Sequence, residues 1–189
     1  MTAPETVVAV VLAAGLSRRF GGDKLLHPIA GKALGAHIAD TVATIPFASR
    51  IAVCPAGNTG RGELFTARGF ELIINDDPQL GMGASLALGA RRAMALDADA
   101  MLVCLADVPH VTSSHLLAVI EALGSGEVAA TGSLGTRGPP AIFARSLLGR
   151  LAELSGDTGG KNLLQAATLV DAAPEIMRDF DTLDDFRGR

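Results

Sequence analysis

Val7-Val8-Ala9-Val10-Val11-Leu12 is an unbroken apolar run dominated by β-branched valine. Such a run fits a strand covered on both faces, as in a parallel sheet flanked by helices. It passes directly into Ala13-Ala14-Gly15-Leu16-Ser17-Arg18-Arg19-Phe20-Gly21-Gly22-Asp23-Lys24, a loop of small residues and spaced cations. Ligands of open α/β sheets bind just beyond strand carboxyl ends, so the loop stands where a ligand is expected.

The loop has the parts of an anion cradle. Gly15, Gly21 and Gly22 permit positive φ and let backbone N–H groups approach an anion closely. Arg19 offers a planar fork for two phosphate oxygens, Lys24 a compact point charge and Ser17 a donating hydroxyl, while Arg18 is left for solvent. A nucleoside triphosphate suits this set; the plainer alternative is a surface turn with scattered basic residues. Two familiar phosphate loops do not fit. Neither Gly22-Asp23-Lys24 nor Gly31-Lys32-Ala33 completes a P-loop, and Gly15-Leu16-Ser17-Arg18 does not begin a G-x-G-x-x-G fingerprint.

At 189 residues the chain suits one domain over residues 1–189. With 49% hydrophobic, 19% charged and 4% aromatic residues it has an α/β composition with an aliphatic core. A formal charge of -4 gives no overall basic field for nucleic acid. Val7 to Ala14 and Met101 to Ala106 are far shorter than the roughly 20 residues that span a bilayer, so no membrane segment is expected. The N-terminus lacks the basic and apolar regions of a secretory signal, which implies a cytoplasmic protein. Cys54 and Cys104 have no Cys or His at metal-ligand spacing and read as free core thiols.

Periodicity and breakers place a helix over Lys32 to Ile45, stopped by Pro46, then a strand over Arg50 to Cys54 and a short helix over Gly62 to Arg68. A strand over Phe70 to Asn75, a helix over Ala84 to Leu96 and a strand over Ala100 to Leu105 follow. The next helix covers Ser114 to Leu123, with Thr112 or Ser113 as cap. Short strands over Val128 to Thr131 and Ala141 to Phe143 flank a break at Gly138-Pro139-Pro140, and helices over Ser146 to Leu154 and Gly160 to Ala167 come last. This alternation predicts a doubly wound, mostly parallel α/β sheet with a mixed edge.

Two further segments carry chemistry. Leu102-Val103-Cys104-Leu105-Ala106-Asp107-Val108-Pro109 puts a carboxylate at the end of an apolar strand. Mg²⁺, which takes few carboxylates and completes its octahedron with water and phosphate oxygens, would partner it; a helix-capping or turn role is the alternative. In Asp76-Asp77-Pro78-Gln79-Leu80-Gly81-Met82-Gly83-Ala84-Ser85-Leu86, two glycines lead into a helix whose free amides can grip a base or ribose, or simply make an ordinary connection. His27 adjoins the loop and is placed to meet a ligand; His37, His110 and His115 suggest no triad or zinc site.

The loop resembles the signature L-A-A-G-x-S-x-R-x-G-x-x-K of the MobA-like nucleotidyltransferases, with Leu12, Ala13, Ala14, Gly15, Ser17, Arg19, Gly21 and Lys24 in register. Ala13-Ala14-Gly15 is similar to the molybdenum cofactor cytidylyltransferase branch, whereas the guanylyltransferase branch reads L-A-G-G. The resemblance extends through L-A-D-x-P, whose Asp107 would bind magnesium, although Val108 replaces the usual Gln or Met. It continues in G-x-G-x-S-L, where Gly83 and Ser85 would meet base and sugar. Gly135 to Phe143 resembles the branch's G-x-x-G-x-P element, and Leu154 to Lys161 its G-D-x-G element, which together place Arg137, Asp157 and Lys161 on the acceptor side. Lys161 follows a diglycine where relatives have Gly-Ala-Arg. The tail Asp179-Phe180-Asp181-Thr182-Leu183-Asp184-Asp185 resembles D-I-D-T-P-E-D, which makes Asp181 a second metal ligand, with Leu183 in place of proline; an acidic helix cap is the alternative there.

The resemblance implies transfer of CMP from CTP to the phosphate of molybdopterin-bound molybdenum, with release of pyrophosphate and Mg²⁺ as cofactor. Arg19, Lys24 and the loop amides would hold the triphosphate while Asp107 and Asp181 hold the metal. A molybdenum hydroxylase is the implied recipient. The alternatives are GTP as donor, another small phosphorylated or alcohol acceptor, or a non-catalytic nucleotide-binding or cofactor-handover protein.

Overall fold

The computed structural model describes residues 2–17, 20–156, 159–182 and 185–186. Along the chain lie β1 (Val7–Leu12), a small hairpin of β2 (Pro28–Ile29) and β3 (Lys32–Ala33), α1 (Leu34–Ala43), β4 (Ser49–Pro55), α2 (Thr59–Thr66) and β5 (Glu71–Asn75). Then come α3 (Met82–Ala95), β6 (Ala100–Leu105), α4 (Ser113–Leu123), β7 (Val128–Ser133), β8 (Thr136–Ala144), α5 (Arg145–Ala152), α6 (Gly159–Leu163) and β9 (Thr168–Asp171).

All six residues of β1 are buried, and the pleat divides them. Val7, Ala9 and Val11 enter the core shared with α1, α2 and α4, whereas Val8, Val10 and Leu12 enter the core under α3 and α5. A helix layer therefore covers each face of the central strand. The seven-stranded sheet has the order β5-β4-β1-β6-β8-β7-β9. Its pairings are parallel except those of β8, which runs against both β6 and β7. The chain winds outward from β1 through β4 to β5, then returns through α3 to set β6 on the other side of β1. That reversal opens a crevice beyond the carboxyl ends of β1 and β6.

The expected α/β sheet and its mixed edge are both present, with local differences. Lys32 and Ala33 pair with Ile29 and Pro28 rather than starting α1. The second helix begins earlier than expected, because Asn58 caps it by accepting from the Arg61 N–H at 3.0 Å. Strand β8 runs through Gly138-Pro139-Pro140 where a break was expected. Its register shifts between Ala130 and Thr131, leaving Pro139 and Pro140 outside the paired positions; a bulge is where a missing N–H costs no ladder bond. The last helix tightens into a 3-10 turn at Leu164, and β9 was not expected at all. Cys54 and Cys104 are buried and free, and burial raises their thiols to about 11 and about 12. No helix among the described residues is long and apolar enough to cross a membrane.

His115 in α4 supports the mixed edge. Its Nε2 lies 2.8 Å from the Thr131 Oγ1, whose hydroxyl donates to the Pro140 carbonyl at 2.9 Å, so the imidazole is the donor. Burial holds the ring below its ordinary pKa. The unfolded chain thus takes up a proton here before the native state does, and stability is complete above the ordinary histidine range and declines as pH falls below it. Urea unfolding at pH 7.5 and 5.5 should show a smaller loss for His115→Gln than for the unaltered protein.

Candidate functional site

A cleft of about 370 Å³ opens at the crevice between β1 and β6. Leu12, Ala13, Ala14, Gly15, Ser17, Lys24, Ser85 and Asp107 all line it, so residues drawn from three separate motifs share one site. Pairing continues past both strands: the Ala13 N–H donates to the Val53 carbonyl at 2.9 Å and the Ala106 N–H to the Leu12 carbonyl at 3.1 Å. The sheet itself therefore fixes where the loop and Asp107 begin. Of the three loop glycines, Gly21 takes positive φ, at 75°, and Ser17 does so as well, at 50°; a non-glycine residue there must be held by its surroundings. Arg18 and Arg19 lie outside the described residues.

Lys24 is 7% exposed and opens a 3-10 turn capped by Asp23, whose Oδ1 accepts from the Leu25 N–H at 3.0 Å. Its ammonium donates to the Asp107 Oδ2 at 2.7 Å and also to the Asp181 Oδ1. Burial alone would lower the lysine pKa, but Asp107 and then Asp181 outweigh it and hold the ammonium above its ordinary value. The tail comes to this place through Phe180, fully buried, whose N–H donates to the Asp107 carbonyl at 3.3 Å. Asp179 beside it is pushed above the ordinary carboxylate range by burial and by the charges of Asp181 and Asp107.

Two carboxylate oxygens from distant segments thus converge on one cationic centre. Asp107 lines the cleft and Asp181 reaches it through Lys24; this hard, oxygen-only donor pair fits a small divalent ion completed by water and phosphate oxygens. Among the described residues no group of three or more His, Cys, Asp or Glu is placed to hold a metal unaided. Neither His nor Cys lines the cleft among the described residues, and His27 instead packs edge-on against Phe20 and Phe186.

Ser85 sits on the α3 side of the cleft, buried, and its hydroxyl accepts from the Asn75 side-chain amide at 2.9 Å. Asn75 is fixed in turn by the Asp77 N–H, which donates to its Oδ1 at 3.0 Å. Gly83 lies elsewhere. Its N–H donates to the Gly156 carbonyl at 2.8 Å, and a Cβ there would stand 2.4 Å from that oxygen, so only glycine permits the approach. Gly83 lines an adjoining cavity of about 410 Å³, together with Arg137 and Lys161. The two spaces share Leu12, Met82 and Leu105. Leu86, Val103, Pro139 and Phe143 make the second largely apolar, and Arg137 is anchored at its rim by donating to the Leu164 and Gln165 carbonyls at 3.2 and 2.7 Å. Asp157 lies outside the described residues.

Sequence reasoning passed over Asn75 and a buried cation behind the loop, Arg61. A polar residue ending an apolar strand signals Asn75, but nothing in the composition of α2 signals Arg61. Loop amides, Lys24 and Asp107 around one cleft, with Asp181 behind Lys24, equip the site to bind and neutralise a polyphosphate.

Residues 9–172 match the profile of the MobA-like NTP transferase domain. The chain is 30% identical over 187 residues to the purine catabolism protein PucB of Bacillus subtilis, covering 95% of this chain and 90% of that protein. It is 35% identical over 125 residues to the bifunctional protein GlmU of Rhizobium etli, covering 64% of this chain but only 27% of GlmU. Among solved structures, Rv0371c from Mycobacterium tuberculosis superposes with a TM-score of 0.83 at 26% identity, covering 96% of each chain.

Proposed function

The chain belongs to the MobA-like NTP transferase family, and from that premise we propose that it transfers CMP from CTP to the phosphate of molybdopterin-bound molybdenum, releasing pyrophosphate. The observation that carries this reading is the cleft in which the Ala13-Ala14-Gly15 loop faces Lys24 and Asp107 at the sheet reversal. A phosphate oxygen of the acceptor forms a bond to the α-phosphorus, and the bond from that phosphorus to the β-phosphate bridging oxygen breaks. An ionised phosphate needs no proton removed, so the protein's work is positioning and charge neutralisation.

The loop amides and Lys24 hold the triphosphate, a role the family signature extends to Arg19, and Ser85 orients the base and sugar. Asp107 and Asp181 are the residues that would hold a divalent ion, Mg²⁺ in this reading; when bound it would neutralise charge on phosphate oxygens. The apolar cavity next to the cleft, with Arg137 and Lys161, suits a flat ring system carrying an anion, as a pterin phosphate does. Asp157 belongs to the same acceptor side. CTP is preferred over GTP because Ala14 stands where the guanylyltransferase branch has glycine. A cytoplasmic location and delivery to a molybdenum hydroxylase follow from the same reading.

The test is pyrophosphate release with CTP or GTP, molybdenum-loaded molybdopterin and Mg²⁺. Faster release with CTP is expected, abolished by chelation. Preference for GTP would move the protein to the guanylyltransferase reading, inactivity with both would require another acceptor, and nucleotide binding without release would make it a non-catalytic binder.

A further inference from the structure

Arg61 is 3% exposed, and burying a guanidinium is costly unless every donor is met. Here the loop meets four of its five N–H donors. Nε donates to Asp23 Oδ1 and Oδ2 at 2.9 and 2.8 Å, Nη1 to the carbonyls of Ala13 and Gly15 at 2.5 and 2.8 Å, and Nη2 to the Ser17 hydroxyl at 3.2 Å. Asn58 completes the arrangement by donating to Asp23 Oδ2 at 2.5 Å. Both ends of the loop, residues 13 to 17 and Asp23, are thereby tied to a single side chain of α2.

Arg61 does not line the cleft; it lines a groove on the other side of the loop. Its effect on the cleft passes through peptide planarity. In a trans peptide the carbonyl and the following N–H point in opposite directions. With the Ala13 and Gly15 carbonyls drawn to Arg61, the N–H groups of Ala14 and Leu16 are turned away from it. Both residues line the cleft, and neither N–H has an acceptor among the described residues.

We propose that Arg61 is a positioning residue that holds the loop's carbonyls away from the cleft so that the N–H groups of Ala14 and Leu16 face the triphosphate. The inference rests on the cleft being a triphosphate site. Asp23 neutralises Arg61 and lowers the field it would otherwise place on the loop, so its contribution is orientation rather than direct attraction. Lysine at this position keeps the charge but has no planar fork to reach Asp23 and two carbonyls together.

Equilibrium binding of CTP and CMP to the full chain and to Arg61→Lys tests it, with amide NMR of the unaltered protein as the second measurement. CTP affinity should fall roughly ten- to a hundredfold in the variant, the range for losing hydrogen bonds to a charged group, while CMP affinity changes by less than about threefold. In the unaltered protein CTP should shift the Ala14 and Leu16 amide signals far more than CMP does. Unchanged CTP affinity in Arg61→Lys, an equal loss for CTP and CMP, or unmoved Ala14 and Leu16 signals would overturn the proposal. If the unaltered protein binds CTP no better than CMP, the triphosphate reading itself fails, and this proposal with it.

Discussion

Replacing Asp107 with asparagine is expected to lower pyrophosphate release by about 10²- to 10³-fold, the cost of removing one preorganised electrostatic group at a reacting centre. Asp107 follows β6, whose position is fixed by pairing with β1 and β8, and its carboxylate lines the cleft. Asparagine keeps the shape and removes the charge that pairs with Lys24 and that, in the proposed function, would help hold a divalent ion. The substitution should leave β6 in place, because the Asp107 backbone carbonyl that accepts from Phe180 is unaltered. Thermal unfolding separates the outcomes: a loss of turnover with a near-normal Tm is expected, and full turnover would remove Asp107 from the chemistry.

Lys24→Met should be as damaging to turnover, roughly 10²-fold or more, and should also change how the protein responds to metal. The ammonium is the cation between Asp107 and Asp181, which come from positions 83 and 157 residues away along the chain. Methionine fills similar space but leaves the two carboxylates facing each other without a counter-charge. A ligand that binds only the native state stabilises it by mass action. Millimolar Mg²⁺ should therefore raise the Tm of Lys24→Met more than that of the unaltered protein. An equal rise in both would show that the ammonium and the metal do not compete for these oxygens.

The central strands were legible because their residues face two cores at once. Val7–Leu12 and Ala100–Leu105 are continuous apolar runs, and no other element accommodates them so well. Thr168–Asp171 was not legible, since it is a mostly exposed edge strand with only four residues and takes its definition from pairing with β7. Lys32 and Ala33 have no local signal separating a two-residue strand from the first turn of a helix. At the site, residue types and spacing singled out the loop and Asp107, the resemblance singled out Asp181, and the structure brings both carboxylates to Lys24. Residue types and spacing did not show that Lys24 bridges the carboxylates, because that contact depends on the tail folding back across Phe180. Arg61 was hidden for a related reason: α2 lacks a clear apolar stripe, and whether its arginine faces water or passes beneath the loop is decided by tertiary contacts with Asp23 and the loop carbonyls.

The most direct measurement follows the fate of the α-phosphorus. CTP labelled in the α-phosphate, incubated with the protein, Mg²⁺ and molybdenum-loaded molybdopterin, should deliver its label to the acceptor, while label in the γ-phosphate should leave as pyrophosphate. Recovery of the α-label as free CMP, or as unchanged CTP under conditions where nucleotide binding is demonstrated, would contradict nucleotidyl transfer to that acceptor.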